Sequence, residues 1–279
     1  MTPRPFKQVD VFTATPYAGN PVAVVMDATG LSTEEMQRFT DWTNLSEATF
    51  VLPPSRAEAD YRVRIFCPGR ELPFAGHPTL GTCHAWLEAG GTPKGDFVVQ
   101  ECAVGPIRIR RDAGRLAFAA PPLARSGPLA ADDVSRIARG LGIEPGDIVH
   151  HAWCDNGPPW QGVMLRSAAQ VLSLRPDPAA LAGLFVGVAA PHAKGGECAF
   201  EVRAFFPGQQ GTIEDPVTGS LNAALAQWLV GAGLAPRRYV AAQGTAVGRA
   251  GRVHVDVDAR GDAWVGGDSV TCIDGTVRL

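Results

Sequence analysis

Three side chains in this sequence, Glu47, His77 and Asp215, are of the types that transfer protons in enzymes. His77 and Asp215 each precede a proline. Each of these dipeptides follows a similar sequence segment, RIFCPG (64–69) before His77-Pro78 and RAFFPG (203–208) before Asp215-Pro216. The phrases are offset by 139 residues and the two polar residues by 138. This spacing predicts two copies of one ancestral unit, with His77 and Asp215 on opposite walls of one cleft.

Glu47 lies in NLSEATF (44–50), at the entrance of a predicted strand with apolar neighbours. Burial there would raise its pKa towards neutrality, which suits a group that both takes and returns a proton. Each candidate also has a structural interpretation. Glu47 could be a solvated surface residue, His77 a structural histidine, and Asp215 a helix N-cap with no further role.

Small and hydroxyl-bearing residues flank these candidates. A buried helix start offers free N–H groups and a positive dipole end to an anion, so two such starts predict a carboxylate-binding site. Gly76, Gly81 and Gly219 would let a substrate approach the backbone, while Thr218 and Ser220 add hydroxyl donors.

Two predicted helices carry these residues. The stretches from Pro78 to about Ala89 and from Pro216 to about Val230 are apolar nearly all round, which predicts burial, and each would have proline at its first position. A third helix is predicted to run to about Thr43, because Ser32 and Glu35 form a capping-box pattern.

Short strand-like segments with turn residues between them fill both halves of the chain. Together with the two apolar helices, they predict an α+β fold of two pseudo-symmetric domains, each a curved, mostly antiparallel sheet in the form of an open barrel around a central helix. The predicted domains are 1–122 and 123–279, with 120–128 as linker. In an alternative division, the final strand at 268–279 completes the first domain.

Composition excludes several classes of function. A net charge of −3 with no basic run argues against nucleic-acid binding. The six cysteines are scattered with no C-x-x-C spacing, which favours a reducing cytoplasm. The first residues do not read as a signal peptide, and no apolar run of roughly 18 residues predicts a membrane span. His77 and His84 lack a third ligand at a fitting spacing, so no metal site is predicted.

Several phrases together resemble the phenazine-biosynthesis PhzF-like isomerases. They are QVDVFT (8–13), GNPVAVV (19–25), NLSEATFV (44–51), RIFCPGRELPFAGHPTLGT (64–82), EDPVTGSLNAAL (214–225) and VGGDSVTCIDGTVRL (265–279). The resemblance spans nearly the whole chain. It implies the diaminopimelate-epimerase-like fold, commonly a homodimer, with no metal or organic cofactor.

Position by position, the resemblance implies that Glu47 is the general acid/base. It also implies that His77, Asp215 and Ser220 bind substrate and handle protons, and that Gly76 and Gly219 flank an anion site. Racemases of the same fold use two cysteines, whereas here the matching positions are His77 and Asp215, which argues against a two-thiol racemase.

The implied reaction is a proton transfer on one face of a small cyclic or unsaturated carboxylic or amino acid. The alternative function is a non-catalytic small-acid binder or scaffold that retains the cleft. The segment 155–160 is a candidate for altered substrate choice, although it could also be only a turn leading into a strand.

Overall fold

The computed structural model describes residues 2–112, 114–208 and 211–279. The chain divides into two compact units. Unit 1 comprises Met1–Ala119 and Gly266–Leu279, and unit 2 comprises Ala120–Val265. Each unit contains a sheet of mixed parallel and antiparallel strands and a buried helix, so the architecture is mixed α/β.

Unit 1 begins with strands and helices whose bounds are β1 (Pro3–Val11), β2 (Asn20–Val25), α1 (Thr33–Thr43), β3 (Ala48–Leu52), β4 (Tyr61–Cys67), β5 (Arg70–Leu72), α2 (Gly76–Glu88), β6 (Val98–Cys102), β7 (Gly105–Asp112) and β8 (Arg115–Ala119). Helix α1 begins at the predicted capping box. Ser32 Oγ accepts from the Glu35 N–H at 3.2 Å, and Glu35 Oε2 accepts from the Ser32 N–H at 2.8 Å.

Unit 2 continues with α3 (Ala131–Leu141), a 3₁₀ turn (Pro145–Asp147), β9 (His150–Asp155), β10 (Pro159–Met164), α4 (Ala168–Ser173), β11 (Val186–Pro191), β12 (Phe200–Gly208), β13 (Gly211–Asp215), α5 (Gly219–Gly231), β14 (Arg238–Gln243), a second 3₁₀ turn (Thr245–Val247), β15 (Gly251–Val257) and β16 (Ala263–Gly267). The unit boundary falls within β16. The last strand, β17 (Ser269–Arg278), belongs to unit 1, where it pairs antiparallel with β1.

The same order of strand pairing occurs in both units. In unit 1, β1–β2 is antiparallel, β2–β3 parallel, β3–β4 and β4–β5 antiparallel, β4–β6 parallel and β6–β7 antiparallel. In unit 2, β9–β10, β10–β11, β11–β12, β12–β13, β12–β14 and β14–β15 follow that sequence of directions. The repeat seen in two short phrases therefore extends to the hydrogen-bonding order of each unit.

Helix α2 is buried as its apolar composition predicts. It packs against β1, β2, β3, β6, β8 and β17, so strands of unit 1 contact it on several sides. A Cβ on Gly81 would lie 2.4 Å from Val22 Cγ1. Gly81 thus brings the helix close to β2, and its missing side chain makes room for Val22 rather than for a substrate.

The predicted helix starts were wrong by a few residues. Helix α2 begins at Gly76, so Pro78 occupies its third position rather than its first. Helix α5 begins at Gly219 with Thr218 as N-cap, and Pro216 lies outside it. Asp215 is consequently the last residue of β13 and not a helix cap. None of the described helices is long and apolar enough to span a bilayer.

We expect Gly81→Ala to lower the free energy of unfolding by about 1–2 kcal/mol. Overpacking against the stiff side chain of buried Val22 costs about 1–3 kcal/mol, and the better helix propensity of alanine returns up to about 1 kcal/mol. Urea unfolding of the variant measures the change. Gly146→Ala is the control, because Gly146 is exposed and a Cβ there would meet no atom within 4 Å. Equal stability of Gly81→Ala and the wild type would contradict the close approach.

Candidate active site

Glu47 and His77 lie together in unit 1. Glu47 directly precedes β3, and its backbone oxygen accepts from Ala23 N, which fixes the start of the parallel β2–β3 pairing. His77 is in the first turn of α2. Glu47 Oε2 lies 3.2 Å from His77 Nε2, and the side chains are only 16% and 6% exposed. The carboxyl group is therefore at the start of the buried helix, largely shielded from water.

The imidazole of His77 is held on its other side by residues at the start of β2. Asn20, which is fully buried, places its Nδ2 3.3 Å from His77 Nδ1. Burial lowers the pKa of His77 to about 3, although the Pro21 carbonyl favours the charged ring. His77 is thus a neutral imidazole at physiological pH, in contact with the Glu47 carboxyl group.

The two thiols nearest the His77 motif, Cys67 and Cys83, are not activated. Burial, with the charge of nearby Glu47 adding to it, raises the pKa of Cys67. Burial also raises the pKa of Cys83 to about 12. Neither sulfur is poised as a thiolate at neutral pH, which agrees with the argument from sequence against a two-thiol racemase.

Asp215 lies in unit 2 within a buried polar network. Its Oδ2 accepts from Thr218 Oγ1 at 2.6 Å. Gln243 Nε2 donates to Thr218 Oγ1 at 2.9 Å and to the Asp215 carbonyl at 3.1 Å, and Gln243 Oε1 accepts from the Thr218 N–H at 3.0 Å. Asn222 Nδ2 donates to the same Gln243 oxygen at 2.8 Å. These bonds fix the segment that joins β13 to α5.

Ser220 is the second residue of α5 and is half-buried. Its Oγ accepts from Trp160 Nε1 at 3.1 Å, and its carbonyl accepts from Asn156 Nδ2 at 2.8 Å. The segment 155–160 thus contacts the start of α5 through two side chains.

The sequence-predicted residues fall into two sets. Glu47, His77 and Gly76 are at the start of α2 in unit 1, and Asp215, Thr218, Gly219 and Ser220 are at the start of α5 in unit 2. The N-cap residues of the two helices, Ala75 and Thr218, make no side-chain capping hydrogen bond to the first turn. The catalytic and binding roles of these residues stay predictions.

Sequence reasoning missed the residues that hold the candidates in place, namely Asn20, Gln243, Asn222, Asn156 and Trp160. The available signal was a polar residue within an apolar stretch, as in Asn20-Pro21-Val22-Ala23 and Val240-Ala241-Ala242-Gln243. Within residues 2–112, 114–208 and 211–279, no group of three or more His, Cys, Asp and Glu side chains could hold a metal ion.

A shielded carboxyl group beside a neutral imidazole is suited to moving protons at a substrate carbon, so the site has the side chains of an acid–base enzyme. The chain belongs to the phenazine biosynthesis-like (PhzC-PhzF) protein family, whose model matches residues 9–275. It is therefore an enzyme of the isomerase class.

Relatives and solved structures agree with this membership. The chain is 34% identical over 262 residues to trans-2,3-dihydro-3-hydroxyanthranilate isomerase of Pseudomonas aeruginosa, covering 91% of this chain and 90% of that one. It is 36% identical over 297 residues to antisense-enhancing sequence 1 of Schizosaccharomyces pombe, covering 99% of each. The crystal structure of a Bacillus anthracis PhzF-family protein has the same fold, with a TM-score of 0.84 at 24% identity over 100% of both chains.

Burial of neutral His77 predicts a specific loss of stability in acid. The unfolded chain takes up a proton on this histidine below pH about 6.5, whereas the folded chain does so only near pH 3. The contribution of neutral His77 to the free energy of unfolding is therefore complete above pH 6.5 and is lost as the pH falls towards 3. At pH 5 the folded state should lose about 2 kcal/mol relative to pH 7.5 from this group.

Urea unfolding of the wild type and of His77→Asn at pH 7.5 and pH 5 isolates this effect, because the other titrating groups are shared. The stability difference between the two proteins should shift by about 2 kcal/mol in favour of the variant at pH 5. Parallel pH dependence of the two proteins would show that His77 is not held neutral.

Proposed function

We propose that the chain is a cofactor-independent isomerase that moves a proton on a small cyclic or unsaturated carboxylic or amino acid. The observation that carries this proposal is the 3.2 Å approach of Glu47 Oε2 to Nε2 of buried His77, at the start of α2. Membership of the PhzC-PhzF family supports it.

Glu47 is the general acid/base of the proposed reaction. Its carboxylate takes a proton from a saturated carbon next to a double bond, and the released electron pair shifts that double bond by one position. The carboxylic acid exchanges its proton with solvent and then protonates the far carbon on the same face. Atoms and electrons balance without an oxidant, a reductant or a metal, because the product is an isomer of the substrate.

The neutral imidazole suits this role. A charged histidine 3.2 Å from Glu47 would stabilise its carboxylate and lower its basicity, whereas a neutral ring leaves the carboxyl group able to bind and release a proton. Asn20 holds the ring from the opposite side. We assign His77 the task of orienting Glu47 and the substrate beside it.

The start of α5 supplies the other proposed contacts. Asp215 is held by Thr218 and takes part in substrate binding and proton handling. Ser220 and Gly219 are assigned to carboxylate binding, because the free N–H groups of a helix start attract an anion, and Gly76 has the same assignment at the start of α2. The Thr218 hydroxyl donates a hydrogen bond to Asp215, so the contribution of Thr218 is to orient that carboxylate.

The domain arrangement, the oligomeric state and the location of the protein are part of the same proposal. The shared pairing order of the two units supports a pseudo-symmetric, diaminopimelate-epimerase-like duplication, with the domains divided near residue 122 and the final strand at 268–279 completing the first domain. A homodimer and a cytoplasmic location, which the resemblance and the cysteine spacing favour, belong to this proposal as well.

The relative of Pseudomonas aeruginosa indicates the first substrate to test, trans-2,3-dihydro-3-hydroxyanthranilate. In deuterium oxide, the wild type should introduce solvent deuterium at a substrate carbon. Proton NMR of the substrate measures the rate of this exchange. We expect Glu47→Gln to reduce this exchange by at least about 100-fold, because glutamine cannot accept the proton. Thermal melting should show that the fold is retained.

Glu34→Gln is the matched control, since Glu34 is an exposed carboxylate in the first turn of α1. It should exchange at the wild-type rate. Exchange by Glu47→Gln at the wild-type rate would remove Glu47 from the role of base. Binding without exchange across a panel of small cyclic acids would favour the non-catalytic binder instead.

A further inference from the structure

Trp160 is a buried residue of β10 that touches the candidate site through a single atom. Its side chain is enclosed, with the residue 2% exposed, and its Nε1 lies 3.1 Å from Ser220 Oγ. The rings of Phe185 and Phe206 meet the indole edge to face, with centroids 5.5 and 6.2 Å away. This aromatic surround fixes the direction of the indole N–H.

The hydrogen bond determines what Ser220 can offer a ligand. An indole nitrogen can only donate, so Ser220 Oγ must be the acceptor. The serine hydroxyl keeps one proton, which points away from the indole. Within the described part of unit 2, Ser220 Oγ makes no other hydrogen bond. Its half-exposed hydroxyl is therefore left as a donor.

The main chain of Ser220 is held by the same segment. Asn156 Nδ2 donates to the Ser220 carbonyl at 2.8 Å, from the turn between β9 and β10. Close packing supports this contact, because a Cβ on Gly162 would lie 2.9 Å from the Trp228 ring and one on Gly187 2.3 Å from Leu221 Cδ1. The glycines of β10 and β11 thus allow α5 to lie directly against these strands.

We propose that Trp160 is a positioning residue that orients the Ser220 hydroxyl as a donor to the carboxylate of the bound acid. Segment 155–160 thereby contributes to the selection of acids over their neutral amides. This inference rests on the proposed function in one respect, namely that Ser220 contacts the substrate. It does not depend on Glu47 or on turnover.

The test compares Trp160→Phe, Ser220→Ala and the double variant. Phenylalanine keeps an aromatic ring and removes the N–H. The probes are 2-aminobenzoate and 2-aminobenzamide, with binding measured by titration calorimetry. Trp160→Phe should weaken 2-aminobenzoate binding about fivefold, the effect of one hydrogen bond, and should reduce the preference for the acid over the amide.

The double variant separates positioning from a general structural effect. If Trp160 acts through Ser220, adding Trp160→Phe to Ser220→Ala should change 2-aminobenzoate binding by less than about twofold. In proton NMR, Ser220→Ala should shift the indole N–H resonance of Trp160. Trp153→Phe, in neighbouring β9, is the control and should bind both probes as the wild type does.

Three results would overturn the inference: wild-type binding of 2-aminobenzoate by Trp160→Phe, an equal loss in the presence and absence of the Ser220 hydroxyl, or no binding of 2-aminobenzoate by the wild type. The proposed function fails separately. If 2-aminobenzoate binding depends on Trp160 but no deuterium exchange occurs, this inference is retained and the isomerase is rejected. If exchange occurs and Trp160→Phe changes neither exchange nor binding, the isomerase is retained and this inference is rejected.

Discussion

A helix that is apolar around its circumference must be enclosed, and this constraint determines the layout of both units. Helix α2 meets this requirement by packing against strands on several sides, and α5 is buried against β9, β10 and β15. Enclosure leaves the polar start of each helix as the place where functional groups can gather. In each unit a buried glutamine on the strand after the helix anchors that start, since Gln100 Nε2 donates to Thr79 Oγ1 and Gln243 Nε2 to Thr218 Oγ1, both at 2.9 Å.

A second recurring interaction secures the short strand before each helix. Arg64 on β4 makes a bidentate ion pair with Glu71, and Arg203 on β12 makes one with Glu214. The pairs differ in surroundings. Arg203 is 5% exposed and also donates to two backbone carbonyls near α4, so each of its three nitrogens has an acceptor. The Arg64 pair is more open to solvent, which weakens its attraction by screening. Glu214 directly precedes Asp215, so this buried pair also fixes the strand that carries the candidate carboxylate.

The repeat and the buried helices could be predicted from the sequence, because periodicity and repeated phrases are local signals, and the family resemblance pointed to Glu47 and His77 together. The starts of α2 and α5 could not be predicted. The proline rule places Pro78 and Pro216 at the first helical position, but in unit 2 the chain makes an extra turn in which Thr218 donates to Asp215. The partners of Asn20 and Trp160 could not be predicted, because each contact joins residues about 60 apart and depends on side-chain direction. A single sequence carries no information on such pairs.

The pairing of β17 with β1 has a consequence for the order of events during synthesis. Residues 120–265 form a contiguous unit, so all of its strands are translated before β17. Unit 1 needs residues 269–278 to cover the free edge of β1, and a ribosome must translate the whole of unit 2 before supplying them. Until then, β1 presents an unpaired edge, which is the kind of surface that chaperones protect and that promotes association between nascent chains. All of unit 2 is thus translated before β17 can complete the sheet of unit 1.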